Sequence, residues 1–253
     1  SFIRRSDLNI DTILFLPYAL TKQTVESIKA ETLVNPVHTH VKLIQRGCKI
    51  DHRLPIRNVF KLQDHESMNS EKIIDYHLRT YAECFDDFRR CGFSDGGRRL
   101  DLLQCLSKGN ETSPALITSN HYHHPYSRLS IIIPVQNEEK RIGDILEECK
   151  KLHPLEIIVV VNQSSDRTAS IASEAGAVII EYKEKLGLDT GRAAGAYFAS
   201  GDICLFIDGD FVIPAIDLLP FVEAIEQGAD VALNDQNLYL DNTRPLHLVT
   251  ACK

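Results

Sequence analysis

Apolar runs that recur about every 20–25 residues in the second half of the sequence are the strongest constraint on the fold. Each run is short and uninterrupted, which is typical of strands covered on both faces. A stretch with helical character follows each run but the last. This alternation predicts βαβ units in a mostly parallel sheet with helices on both faces. The predicted strands are 129–135, 156–161, 177–180, 202–207 and 230–233, and the predicted helices are about 138–152, 166–175, 189–200 and 215–227.

The two halves of the sequence differ in charge. Residues 1–128 carry 18 Lys and Arg against 15 Asp and Glu, whereas residues 129–253 carry 10 against 20. An acidic second half argues against nucleic acid as its main partner. It suits a metal site, and a solvated acidic surface accounts for it equally well. We therefore predict two domains: an accessory α/β domain over 1–128, for acceptor binding or homo-oligomer formation, with a linker at about 107–128, and a Rossmann-like domain over 129–253.

The composition predicts a cytoplasmic protein without a transmembrane segment. No apolar run approaches the ~18–20 residues that cross a bilayer, and the N-terminus lacks the charged and apolar regions of a signal peptide. The seven cysteines have neither metal-type nor disulfide-type spacing, which indicates reduced thiols.

The first half gives weaker structural patterns. Residues 12–17 have the character of a strand closed by a proline, and Thr21 is a candidate cap for a helix over 22–32. The other predictions for this half are a strand at 58–62, helices at 70–91 and 97–107, and a short strand at 115–118.

Histidines in the first half leave a metal-binding alternative open. Residues 37–45 alternate with a period of two, which predicts a strand with one wet face that carries His38 and His40. Because a His-x-His strand can bind metal, a metallohydrolase is conceivable there. The competing interpretation is that these are ordinary polar histidines on a solvated face.

Polar clusters follow four of the predicted elements in the second half. They occupy 134–139, 162–166, 187–193 and 208–210. Since ligands of such sheets bind at the carboxyl ends of the strands, we expect all four clusters to meet at one edge. In the last cluster, Asp208 and Asp210 flank Gly209 directly after an apolar strand. Two carboxylates there predict a site for a hard divalent cation such as Mg²⁺ or Mn²⁺, while an acidic turn is the alternative.

Residues 129–233 resemble the nucleotide-sugar-binding half of family 2 glycosyltransferases of the GT-A type. The resemblance rests on Ser-Ile-Ile-Ile-Pro-x-x-Asn-Glu-Glu at 130–139, Ser-Ser-Asp-x-Thr at 164–168, the Gly-Arg start of a helix at 191–196 and Gly-Asp-Ile-x-Leu-Phe-Ile-Asp-Gly-Asp at 201–210. It implies a GT-A fold and a metal-dependent glycosyltransferase that moves a sugar from a nucleoside-diphosphate sugar to a carbohydrate, lipid or small-molecule acceptor.

The resemblance also implies roles for particular residues. Asp208 would lie near the ribose and, with Asp210 as the principal ligand, would hold the metal. Arg192 would contact the diphosphate at a helix start, unless it is a surface arginine. The remaining nucleotide-binding candidates are Pro134, Asn137, Glu138, Asn162 and Asp189. For Glu138 and Glu139 a favourable place at a helix N-terminus is an alternative role, and Asp189 could instead cap its helix.

Two departures from the family pattern stand out. Asn162 and Gln163 occupy a strand end where the family usually has aspartate, so the resemblance does not imply a preference for uracil here. The general base of inverting members is a carboxylate well beyond the metal motif, and Asp235 is the candidate for it here. His247 is a further candidate ligand for the metal. We therefore expect a fragment of a longer protein whose second domain is truncated at its C-terminal end. A noncatalytic nucleotide-sugar-binding module and a nucleotidyltransferase are the alternative functions.

Overall fold

One seven-stranded sheet forms the centre of the molecule. The computed structural model describes residues 16–54, 126–183 and 188–235. Within these residues the strands are β1 (Tyr18–Thr21), β2 (Ile50–Leu54), β3 (Tyr126–Val135), β4 (Pro154–Asn162), β5 (Val178–Tyr182), β6 (Ile203–Phe206) and β7 (Val231–Asn234), in the spatial order β2-β7-β1-β6-β3-β4-β5. All neighbouring pairs are parallel except those that β1 makes with β6 and β7. The prediction of a mostly parallel sheet is confirmed.

Helices cover both faces of the sheet, as predicted. They are α1 (Lys22–Ile28), a 3₁₀ helix (Ala30–Val34), α2 (Pro36–Gln45), α3 (Ile142–Lys150), α4 (Thr168–Glu174), α5 (Leu188–Phe198) and α6 (Ala215–Glu226). One apolar core lies between the sheet and α3, α4 and α6, and the other lies between the sheet and α1, α2 and α5. Every predicted strand and helix of the second half is present, with shifts of a few residues at the ends.

The described part of the first half belongs to this same sheet. Strand β1 inserts between β6 and β7, where Tyr18 pairs with Phe206 and with Leu233, and β2 pairs with β7 at the edge. A domain boundary at residue 128 is therefore wrong for residues 16–54. The rest of the predicted accessory domain and the linker at 107–128 lie outside the described residues, as do the elements predicted between 58 and 118.

Two local predictions in the first half need correction. Residues 37–45 are helical: Asn35 accepts the backbone N–H of His38 and Pro36 occupies the first turn, which together start α2. Residues 16 and 17 form a bend before β1 and not the end of the strand predicted at 12–17, of which residues 12–15 lie outside the described residues. By contrast, Thr21 caps α1 as predicted, although that helix ends at Ile28.

A close approach between α5 and the centre of the sheet positions the later site. A Cβ on Gly195 would lie 2.4 Å from Cγ2 of Ile132, and one on Gly191 would lie 2.9 Å from Cβ of Pro134. Two glycines one turn apart thus let the helix sit directly over β3.

None of the helices in the described ranges is long and apolar enough to cross a bilayer.

Candidate metal and nucleotide site

The carboxyl ends of β3, β4 and β6 meet at one edge of the sheet. Strand β3 lies between the other two, with Ile132 opposite Phe206 and Pro134 opposite Val160. Gly191 packs against Pro134 and brings the first turn of α5 to the same place. The structure therefore brings together the four polar clusters that follow the predicted elements.

Gly209 holds the acidic corner against the end of β3. A Cβ at this position would lie 2.3 Å from Cγ1 of Val135 and 3.1 Å from the carbonyl oxygen of Pro134. Val135 is buried and stiff, so neither neighbour can move away easily. Only a residue without a side chain fits between Asp208 and Asp210 in this arrangement.

The two carboxylates of the corner receive few hydrogen bonds from the described residues. Oδ1 of Asp210 is buried and has no hydrogen-bond partner among the described residues, while Oδ1 of Asp208 accepts the backbone N–H of Gly209. Burial, and then the neighbouring Asp210 carboxylate, raise the pKa of Asp208 to about 6. A buried acceptor without a donor, beside a second acid, fits a bound cation better than it fits an acidic turn.

This raised pKa predicts that the charge of Asp208 destabilises the metal-free protein. The destabilisation is absent below the ordinary pKa of about 3.8, develops as the pH rises from there to about 6, and is complete above that pH. Asp208→Asn should therefore stabilise the protein at pH 7.5 by on the order of 2 kcal/mol, and the gain should vanish near pH 4. Urea unfolding in EDTA at the two pH values measures this difference. A variant that is equally or less stable than wild type at pH 7.5 would contradict it.

Arg192 supplies a buried positive charge beside the corner. Its Nη1 donates to Oδ1 of Asp189 at 2.8 Å, and the arginine side chain is only 9% exposed. Its Nε is buried without a hydrogen-bond partner in the described part of the chain. The same guanidinium lowers the pKa of Asp208, against the larger effect of burial. Arg192 is thus a buried arginine of the site rather than a surface residue, and Asp189 pairs with it.

Two loops at this edge are joined by their side chains. The loop after β3 places Asn137 in a left-handed conformation, with φ of 56°. Oδ1 of Asn137 accepts the backbone N–H of Ser165 at 2.8 Å, and Oε2 of Glu138 accepts from Arg141 at 3.0 Å. Both proposed nucleoside-binding side chains are therefore engaged within the protein. Glu138 is also the smallest of the contributions that raise the pKa of Asp208, after burial and the Asp210 carboxylate.

Two other predicted site residues, Asn162 and Asp235, lie at the ends of β4 and β7. Asn162 is buried at the end of β4, and Gln163 after it is exposed with φ of 53°. Asp235 follows β7, and its backbone N–H bonds to Leu54, on the far side of β1 from β6. His247 lies outside the described residues.

The histidines of the first half do not form a metal site in the described structure. His38 and His40 lie on α2, not on one face of a strand. Burial and the nearby Lys42 lower the pKa of His38 to about 4. No group of three or more His, Cys, Asp or Glu residues that could hold a metal occurs within 16–54, 126–183 and 188–235. The corner therefore offers two carboxylates, and the remaining oxygen ligands of a cation would come from substrate phosphate and water.

Tyr18 is a part of this region that sequence analysis missed. Its ring stacks on Phe206 with centroids 4.7 Å apart, and it is fully buried. Burial raises its pKa, while the nearby Arg192 opposes that rise. The sequence around Tyr18 does not predict its place beside β6, because the strands that pair with β1 lie far along the sequence.

Comparison with known proteins gives a family match for the second half. Residues 130–251 match the model of glycosyl transferase family 2. An undecaprenyl-phosphate 4-deoxy-4-formamido-L-arabinose transferase of Serratia proteamaculans is 32% identical over 118 residues, which cover 42% of this chain and 36% of that protein. A dolichol-phosphate mannosyltransferase of Pyrococcus furiosus is 33% identical over 117 residues, covering 43% and 33%. The chain thus spans about a third of the length of these curated relatives.

Solved structures give a partial likeness. The glucosyl-3-phosphoglycerate synthase of M. tuberculosis is 26% identical and matches 40% of each chain, with a TM-score of 0.33. The match to the family model includes every strand and helix from β4 to β7 and the whole acidic corner. Residues 130–251 of this chain are therefore similar to the glycosyl transferase family 2 domain.

Proposed function

We propose that this chain carries the donor side of a metal-dependent glycosyltransferase. The donor would be a nucleoside-diphosphate sugar, held with Mn²⁺ or Mg²⁺ at the end of β6. The observation that carries the proposal is the corner formed by Asp208, Gly209 and Asp210. There, a buried carboxylate oxygen of Asp210 has no donor among the described residues, and a second acid lies beside it.

The charges around the corner suit a diphosphate bound through a cation. Asp210, with Asp208, would hold the metal, which would supply positive charge to the departing nucleoside diphosphate. Arg192 would donate to the diphosphate, because its Nε has no partner in the described structure and arginine pairs well with phosphate. The acids and the arginine thus offer complementary contacts to one ligand.

The acceptor is the less constrained half of the proposal. The two relatives named above are called undecaprenyl-phosphate and dolichol-phosphate transferases. We therefore propose a lipid phosphate as the first acceptor class to test. Asp235 and His247 remain proposals for a base and a metal ligand. Asp235 follows β7, which is separated from β6 by β1, and His247 lies outside the described residues.

A nucleotide panel tests the donor side directly. Isothermal titration calorimetry with UDP, GDP and ADP, each with Mn²⁺ and with EDTA, should show binding of one nucleotide that requires the metal. Asn162 and Gln163 stand near the place for the base, and amides can both donate and accept, so the panel includes purines. If none of the three nucleotides binds at about 1 mM, each binding free energy is weaker than about −4 kcal/mol, and the proposal is overturned.

Catalysis needs a separate measurement, because a noncatalytic binding module would pass the nucleotide panel. Hydrolysis or transfer of the sugar from the matching nucleoside-diphosphate sugar distinguishes the two. Release of pyrophosphate from a nucleoside triphosphate would instead indicate a nucleotidyltransferase.

A further inference from the structure

Three consecutive backbone amides in the loop after β3 donate to side chains of the loop after β4 and of the first residue of α4. The N–H of Asn137 donates to Oγ of Ser164 at 2.9 Å, and that of Glu138 donates to Oγ1 of Thr168 at 2.8 Å. The N–H of Glu139 donates to Oδ2 of Asp166 at 3.0 Å. We call these three bonds the loop clasp. They satisfy amides that would otherwise point out of the sheet edge without partners.

Asp166 fixes the direction of the Thr168 hydroxyl proton. Oδ1 of Asp166 accepts both the backbone N–H and the hydroxyl of Thr168. Because the Thr168 hydroxyl donates to Asp166, its oxygen is free to accept from Glu138. These bonds, acting against burial, lower the pKa of Asp166. An ionised Asp166 and a hydroxyl at 168 are therefore both required.

Bonds in the opposite direction close the connection. The backbone N–H of Ser165 donates to Oδ1 of Asn137, and that of Arg167 donates to Oε2 of Glu139 at 3.1 Å. The left-handed residue Asn137 is thereby held at both its backbone and its side chain. Thr168 itself is fully buried, so water cannot readily replace its part in the clasp.

We propose that Asp166 and Thr168 are positioning residues of the donor site. Through the loop clasp they hold residues 137–139 in one conformation beside the acidic corner, because this loop directly follows the end of β3, where Val135 packs against Gly209. They would not touch the nucleotide themselves. This inference rests on the proposed function, because it assigns the clasp a role in nucleotide binding and not only in stability.

The clasp also determines which groups remain for the diphosphate. A run of backbone N–H groups beside a left-handed residue is a common binding place for anions. Here the Asp166 carboxylate and two hydroxyl oxygens already occupy those groups. The phosphate oxygens are thus left to Arg192 and to a cation at the corner.

A valine–serine pair at position 168 tests the proposal. Thr168→Val keeps the shape of the side chain but removes the hydroxyl, so the N–H of Glu138 loses its acceptor. We expect Mn²⁺-dependent nucleotide affinity to fall at least about tenfold in Thr168→Val and by less than about twofold in Thr168→Ser. Asp166→Asn should behave like the valine variant, because an amide cannot accept at both ends.

Thr39→Val is the matched control for loss of a buried threonine hydroxyl. Thr39 is fully buried on α2, and its hydroxyl bonds to backbone carbonyls of Thr32 and Asn35. Its valine variant should lose thermal stability and keep nucleotide affinity within about twofold. Equal losses of affinity in Thr39→Val and Thr168→Val, or unchanged affinity in a folded Thr168→Val, would overturn the positioning role. If Thr168→Val does not fold, Ser164→Ala, which removes only the acceptor for Asn137, takes its place.

Amide hydrogen exchange separates failure of the clasp from failure of the proposed function. If the wild type binds no nucleotide, the proposed function and the donor-site role both fail. Exchange at residues 137–139 then still shows whether the clasp exists, since it should be faster in Thr168→Val than in Thr168→Ser. Equal exchange in the two variants overturns the clasp even where nucleotide binding succeeds.

Discussion

Asp210→Asn is expected to abolish the Mn²⁺-dependent part of nucleotide binding without destabilising the protein. The amide keeps the shape of the side chain but is a far weaker ligand for a hard cation, and we expect a loss of at least about 100-fold, or roughly 3 kcal/mol. The metal-free protein should be as stable as wild type or more stable. The reason is that the Asp210 carboxylate raises the pKa of Asp208, so its removal relieves repulsion between two acids.

Asp202→Asn is the matched control for this change of charge. Asp202 lies at the opposite end of the same strand, where it forms an exposed ion pair with Arg128. Such pairs contribute little, so both nucleotide affinity and stability should stay close to wild type. Calorimetry with and without Mn²⁺ measures all three proteins. Metal-dependent binding by Asp210→Asn within about threefold of wild type would count against the corner as the metal site.

Gly209→Ala is expected to damage the site without removing any ligand. The added Cβ would need the space of Val135 Cγ1, so the corner has to move away from the end of β3. We expect a loss of about 1–3 kcal/mol in the free energy of unfolding. Displaced carboxylates should also lower the affinity for Mn²⁺ and nucleotide at least about tenfold, since site geometry is sensitive to shifts near 1 Å.

Two further variants separate crowding from a general effect of alanine. Gly143 in α3 has only an ordinary contact for an added Cβ, at 3.9 Å from Ile171, so Gly143→Ala should be neutral or stabilising. Removing the crowding methyl groups in a Val135→Ala, Gly209→Ala double variant should recover part of the lost affinity relative to Val135→Ala alone. Additive losses in the two substitutions would show that the predicted crowding is not the cause.

The second half of the fold was predictable because its strands are buried on both faces. Runs such as 129–135 and 203–207 are continuously apolar, and a strand covered by helices on both sides is the structure that such short runs favour. The acidic corner was predictable for the same reason, since two acids directly after a buried strand need a partner.

The first half was harder because short amphipathic segments fit two periods. Residues 37–45 match a period of two as well as the helix they form, and the starting signal of Asn35 and Pro36 was the deciding one. Strand β2 was missed because it is short and polar at an edge. The loop clasp could not be foreseen from spacing alone, since its donors and acceptors lie on different loops and meet only once the sheet has formed.

The place of β1 in the sheet bears on how this protein is made. Tyr18 pairs with Phe206, roughly 190 residues later in the chain. In the described structure, β1 lies between β6 and β7 and pairs with both of them. At a synthesis rate of about 5–20 residues per second, β1 waits on the order of 10–40 s for its partners. During that delay an apolar strand is exposed, and contacts of such long separation form slowly. The ribosome-bound chain should therefore depend on chaperones until β7 has emerged.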